Sequence, residues 1–324
     1  MERLRVAYIS ASYSPIVEAL HKQANLTLIV GTTPRPEKSR HPLALLRRFL
    51  AYCRGFRSLA DWADKQNLPY RQFSRDHQRE LADEIQDQRI DVLVSYAAPI
   101  LADDLLHAPA KEALNIHPSR LPDYRGGNPI LWQIIAGEQA SAVTIHRLTN
   151  QLDQGDILAQ VPYAISPGDS RDSIVRTVHQ TASTAIVGLL QDIGAGRTPE
   201  PRAQPSHSDT PVAYNRTREQ LESLIPWQQA SSDLLFRVVG YLDHWPFEIA
   251  VPSGWRSLLP YRASRPLSPS DDRPAGLSAN LLALVYQSSG GAVELRPRLT
   301  PIAVLRHLLM LRRLRRGSLK YQYL

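Results

Sequence analysis

Cysteine is nearly absent from this chain. Cys53 stands alone among 324 residues, which excludes an intrachain disulfide and a paired-cysteine metal knuckle. It ends the mostly apolar stretch Leu43–Cys53, so it reads as core packing rather than as a reactive thiol. No apolar run is long enough to span a bilayer. The start, Met1-Glu-Arg-Leu-Arg-Val-Ala-Tyr-Ile9, enters a strand pattern directly, without the apolar region of a secretory signal. These features together predict a cytoplasmic protein. Also missing is a dinucleotide fingerprint: the first strand runs into Ser10-Ala-Ser-Tyr-Ser-Pro15, with no GxGxxG. Acidic residues are absent from 301–324, which holds Arg306, Arg312, Arg313, Arg315, Arg316 and Lys320. Without those six charges the net +7 becomes +1, so the body is near neutral and the basicity belongs to a tail. That excludes a surface basic all over and built to coat nucleic acid.

What is present is a 43% hydrophobic chain longer than one usual domain. Strand patterns at Leu4–Ile9, Leu26–Val30, Ile90–Tyr96, Ala113–Ile116, Ala142–Leu148 and Ile157–Ile165 alternate with helical patterns. The helices are predicted at Ser14–Gln23, Leu43–Tyr52, Arg57–Lys65, Asp76–Gln88, Pro129–Ala136 and Ser170–Ile193. The alternation predicts an α/β fold with a parallel, Rossmann-like sheet, whose sites lie beyond the carboxyl ends of the strands. Prolines 199, 201, 205 and 211 mark a linker. The division is therefore 1–195, linker 196–216, and a smaller β-containing domain 217–324 with a basic helical tail. In the latter, a helical stretch is expected over Arg218–Val239. Ser288-Ser-Gly-Gly291 signals a hairpin between Leu281–Tyr286 and Ala292–Leu295, and 264–275 reads as a loop.

The most informative run is Asn115-Ile-His-Pro-Ser-Arg-Leu-Pro-Asp-Tyr-Arg-Gly126, followed by Leu152-Asp-Gln-Gly155. Asn115 and His117 are two apart on a strand end and so point the same way. Pro118 ends the strand. Asp153 lies in a turn between two strands and can project over the sheet edge. An amide, an imidazole and a carboxylate can together hold an oxyanion and move protons. Arg125 offers a fork of donors for a carboxylate or phosphate, and Gly126-Gly127 permits positive φ or close approach. Taken singly these motifs are commonplace, since Asn-x-His often caps and Asp-x-Gly often turns. A metal site on His117, His146 and Asp153 is a rival, but the spacing matches no regular zinc pattern.

In combination, the run resembles the active-site signature of the folate-dependent formyltransferases. This family includes methionyl-tRNA, sugar and glycinamide ribonucleotide formyltransferases. Val143-Thr-Ile-His146 and Leu152-Asp-Gln-Gly-Asp-Ile157 resemble its second block, and Val94–Leu101 resembles the segment lining its folate site. The resemblance implies Asn115, His117 and Asp153 as catalytic residues. It implies 10-formyltetrahydrofolate as co-substrate, held by Tyr96, Ala97, Pro99, Ile100, Leu101, Gln151 and Asp156. Ser119, Tyr124, Arg125, Gly126, Gly127, Asn128 and Trp132 are the candidate acceptor contacts. No metal is implied. In this scheme a protonated His117 and Asn115 donate to the oxyanion, and Asp153 favours the imidazolium.

The acceptor is less legible. Asn128 and Trp132 depart from the tRNA-type pattern, which favours a primary amine on a small molecule: an amino sugar, a nucleotide-linked sugar or an amino-acid-derived metabolite. Initiator tRNA ranks second, with the basic tail as its binding element. A formyltetrahydrofolate hydrolase ranks third, because an additional domain would be expected ahead of its first strand. A homodimer is compatible with the apolar content of the second domain.

Overall fold

The computed structural model describes residues 3–33, 58–205, 225, 229–242, 261–268, 276–279 and 284–297. These residues form two compact units. The first comprises 1–126, 142–163 and 177–212; the second comprises 127–141, 164–176 and 213–324.

The first unit is built on a seven-stranded sheet of order β3-β2-β1-β4-β5-β6-β7. Its strands are β1 (Arg5–Ser10), β2 (Asn25–Gly31), β3 (Tyr70–Gln72), β4 (Val92–Tyr96), β5 (Glu112–His117), β6 (Ala140–Arg147) and β7 (Ile157–Ala164). The pairings from β3 through β5 are all parallel. Helices α1 (Pro15–Gln23), α2 (Leu59–Lys65), α3 (Gln78–Asp87) and the single turn α4 (Asp103–Leu106) alternate with them. Helix α1 begins with proline at its first turn, where the missing N–H costs nothing. Ser58 caps α2 by accepting from the Asp61 N–H. Leu81, Ala82 and Ile85 form the buried stripe of α3. They pack with Ala7, Ile9, Leu28, Val30 and Leu93 into one core on a face of the sheet. Each large side chain buried there stabilises the fold by roughly 1.5–3 kcal/mol.

The sheet departs from the expected parallel order at β6. Strand β6 runs antiparallel to β5, with Asn115 opposite His146 and His117 opposite Thr144. Periodicity reports burial, not strand direction, so the sequence could not show this reversal. Two elements lacked a period long enough to be seen, β3 and α4. The expected helix from Asp76 is a 3-10 turn, Arg75–His77, running into α3.

Helix α5 (Pro129–Ala136) lies in the second unit, and α6 (Arg171–Gly194) contributes 171–176 to the second unit and 177–194 to the first. The second unit adds α7 (Ser232–Leu242) and a four-stranded sheet of order β8-β11-β10-β9. Its strands are β8 (Tyr261–Leu267), β9 (Gly276–Ala279), β10 (Leu284–Gln287) and β11 (Ala292–Pro297), all paired antiparallel. The hairpin expected at Ser288–Gly291 is present: the Ser288 hydroxyl accepts from the N–H of Gly290 and of Gly291. The loop expected over 264–275 is corrected in part. Ser264–Leu267 belongs to β8, and Pro266 is accommodated because β8 is an edge strand. The expected linker begins at residue 196. Residues 196–205 are ordered on the first unit, where Arg202 and Ile157 exchange backbone hydrogen bonds of 2.9 Å. Cys53, the helix expected over Leu43–Tyr52, residues 218–224 and 226–228 of the one expected over Arg218–Val239, and the basic tail lie outside the described residues. The end of the helix expected over Arg218–Val239 is present in α7.

Candidate active site

Strand β5 carries Asn115 and His117 on one face at its carboxyl end, as their spacing requires. The next strand in the parallel direction, β4, ends at Tyr96, in register with Ile116. Loop 118–126 is pinned beneath the site by buried polar groups. The Thr144 hydroxyl donates to the Ser119 carbonyl at 2.6 Å and accepts from the Leu121 N–H at 3.3 Å. Gln160 donates to the Leu121 carbonyl and to Thr144, and the Tyr163 hydroxyl donates to the Pro118 carbonyl. Tyr124, at φ 58, then presents its carbonyl to His117, and Gly126, at φ 98, presents its N–H to Asp153. The turn bearing Asp153 folds back over β6. A Cβ on Gly155 would stand 1.9 Å from the Arg147 carbonyl oxygen, so only glycine allows this approach. Asp153 itself has φ 52, an unusual conformation for a residue with a side chain.

The structure brings the three expected catalytic residues together. Asp153 Oδ2 accepts from the Gly126 N–H at 2.8 Å and lies 3.5 Å from His117 Nδ1. Asp153 Oδ1 accepts from Asn115 Nδ2 at 3.1 Å and lies 3.5 Å from His146 Nε2. Asn115 Nδ2 is also 3.1 Å from His146 Nε2. The tautomers follow from the carbonyls. His146 Nδ1 lies 2.8 Å from the Arg147 carbonyl and donates to it, which leaves Nε2 to accept from Asn115. His117 Nε2 lies 2.9 Å from the Tyr124 carbonyl and must donate, leaving Nδ1 to face Asp153.

Burial acts first on both titratable partners. It lowers the His117 pKa below 6.5, and nearby His146 adds to that; the Asp153 charge and the Tyr124 carbonyl oppose but do not overcome it. Burial alone would raise Asp153. The opposing imidazoles of His117 and His146 and the Gly126 N–H prevail and hold its carboxyl well below the ordinary carboxylate range. The resting pair is therefore a carboxylate facing a neutral imidazole. This corrects the expected imidazolium: desolvation of a ring 4% exposed outweighs one neighbouring charge. Among the described residues no group of three His, Cys, Asp or Glu side chains is placed to hold a metal ion.

The candidate co-substrate segment follows β4. Ala97 takes φ 51 and Ile100 is 61% exposed, an apolar side chain offered at the strand end. Tyr96 contacts His179 of α6, with its hydroxyl 3.1 Å from Nε2. Leu101 instead points into the core beneath, 3% exposed. Gln151 is exposed, and Asp156 lies 3.9 Å from Arg147, which is held by Glu112 in two hydrogen bonds. Three expected acceptor contacts turn inward. The Ser119 hydroxyl donates to the Asp123 carbonyl, the Tyr124 side chain is buried, and Arg125 donates to Gln204 and the Pro205 carbonyl. Polar groups in a loop this deeply buried must be satisfied internally. Gly127, Asn128 and Trp132 belong to the second unit. There Asn128, exposed with φ 56, precedes α5, and Trp132 is half-buried on that helix.

Residues 55–190 match the family model described as formyl transferase. A methionyl-tRNA formyltransferase of Geobacillus sp. (strain WCH70) is 34% identical to the chain over 189 residues, 57% of this chain and 57% of that enzyme. The bifunctional polymyxin resistance protein ArnA of Wigglesworthia glossinidia brevipalpis is 29% identical over 157 residues, 48% of this chain and 23% of that protein. The chain thus spans less than two thirds of either relative. The N-formyltransferase from Helicobacter canadensis, solved with folinic acid and dTDP-3-aminofucose, shares the fold. Its TM-score is 0.60 at 15% identity, covering 92% of this chain and 100% of that one.

The formyl transferase signature made Asn115, His117 and Asp153 visible in the sequence. It gave His146 little weight, because only the antiparallel register sets it opposite Asn115. Neither His179 nor Gln204 carried any signal, and both are placed at the site by the fold alone.

Proposed function

We propose that the protein transfers a formyl group from 10-formyltetrahydrofolate to a primary amine on a small molecule. The observation that carries this reading is the Asp153 carboxylate, shared between Asn115, the Gly126 N–H and the face of a neutral His117. The segment that follows β4 offers exposed Ile100 as an apolar contact for the co-substrate. That co-substrate supplies an activated formyl carbon on nitrogen. His117 Nδ1, free to accept, takes the proton released as the amine forms its bond to the formyl carbon. Asp153 stabilises the imidazolium so formed, and the Tyr124 carbonyl keeps the ring oriented. Asn115 has two N–H groups, now on His146 and Asp153, and turning one to the formyl oxygen stabilises the charge developing there by about 3 kcal/mol. His117 returns its proton to the folate nitrogen as the old carbon–nitrogen bond breaks.

The departures at Asn128 and Trp132 support a small acceptor: an amino sugar, a nucleotide-linked sugar or an amino-acid-derived metabolite. The second reading is initiator tRNA, supported by the tRNA-directed relatives. The test is to incubate the protein with 10-formyltetrahydrofolate and pools of amino sugars, amino acids or aminoacylated initiator tRNA. Gain of one formyl mass in a small amine is expected. Activity on tRNA alone would replace the first reading with the second, and hydrolysis without transfer would remove both. His117→Ala and Asp153→Ala are each expected to abolish transfer while folate binding, followed by fluorescence quenching, persists.

A further inference from the structure

The segment that reads as a linker in the sequence reaches into the site through Gln204. Its Nε2 donates to the main-chain carbonyl of Asp153 at 3.1 Å and to that of Gly155 at 2.6 Å. Its Oε1 accepts from Arg125 Nε at 3.3 Å and Nη2 at 2.9 Å. Arg125 Nη2 also donates to the Pro205 carbonyl at 2.8 Å. Both N–H groups and the acceptor of this one amide are therefore in use. The backbone exchange between Arg202 and Ile157 anchors the segment two residues upstream. Asp153 is held at φ 52, a conformation that persists where surrounding bonds over-determine it, and Gln204 supplies two of those bonds on either side of the turn.

We propose that Gln204 is a positioning residue for formyl transfer: it clamps the Asp153–Gly155 turn so that the carboxylate stays between the Gly126 N–H and His117. Arg125, 5% exposed, is the group that orients Gln204 rather than a reader of the acceptor. The proposal rests on the reaction assigned above. The groups facing His117 are Asp153 from the turn, His146 from β6 and the Tyr124 carbonyl from the loop. The Asp153 charge in turn favours the Arg125 guanidinium against the burial that opposes it. A clamp on the turn therefore acts on the proton-accepting pair through geometry.

The test uses Gln204→Glu and Gln204→Ala in the full chain. Glutamate keeps the length and an acceptor for Arg125 but cannot donate to the two carbonyls. In both variants kcat is expected to fall on the order of 10-fold or more, with the KM for the folate donor changed by less than about 2-fold. The C2–H NMR titration of His117 is expected to move down by about half a unit or more as Asp153 withdraws, with exposed His77 as internal reference. This titration needs no turnover. An inactive wild-type protein would defeat the proposed reaction and leave the clamp to be decided by the titration. Unchanged kcat and unchanged titration in both variants would overturn the clamp. So would loss of folding in both, or a lowered thermal midpoint with the His117 titration unmoved, since each makes Gln204 a structural brace only.

Discussion

Each oxygen of Asp153 has its own set of partners, and the charge depends on all of them. Gly126 and His117 meet one oxygen, and Asn115 and His146 meet the other. Asp153→Asn keeps the shape and removes the charge. The expected outcome is a fall in kcat of about 10²–10⁴ with folate binding retained, measured by steady-state rates and equilibrium titration. The pH dependence has a definite sign. His117 must be neutral to accept a proton, and burial holds its pKa below 6.5, so turnover is level above that pH and falls as pH drops through the folded value. The Asp153 charge works to raise the His117 pKa, so in an Asn variant the residual activity should fall at still lower pH. An acid limb shifted upward in that variant would refute the pairing.

At the scale of elements, strand ends and one turn set the geometry. Strand β5 supplies two side chains from one face, β6 returns antiparallel with His146, and the 152–155 turn closes on both. At Gly155 the turn lies so close to β6 that a Cβ would meet the Arg147 carbonyl. Gly155→Ala should push the turn from Arg147 and lower stability by roughly 1–3 kcal/mol. Urea unfolding would measure that loss, and kcat should fall with it because Asp153 moves. A variant of unchanged stability and rate would show that the turn adapts. The sequence displayed β5 and the turn, each bounded by punctuating residues such as Pro118 and Gly155. It did not display their meeting, which depends on strand direction and on a segment more than forty residues downstream.

For the molecule as a whole, stability should rise with pH from about 4 to about 7. Asp153 and His117 both have folded pKa values below their ordinary values of 3.8 and 6.5. The unfolded chain therefore binds more protons as pH falls through each ordinary value, and stability falls with it. Exposed His77, raised by its bond to Glu80, works in the opposite sense and is screened by solvent. Urea midpoints near pH 5 and pH 7.5 would show the slope, and His117→Gln should flatten its upper part. A wild-type slope of the opposite sign would contradict the buried neutral imidazole. By itself the sequence determined the alternating α/β elements, the hairpin at Ser288–Gly291 and the three candidate catalytic residues, because local periodicity, turn chemistry and short signatures are properties of neighbours along the chain. The antiparallel β6, the inward turn of Ser119 and Arg125, the neutral His117 and the reach of Gln204 were decided only by tertiary structure. Strand direction, desolvation and the meeting of distant segments arise when the chain packs, and no local pattern encodes them.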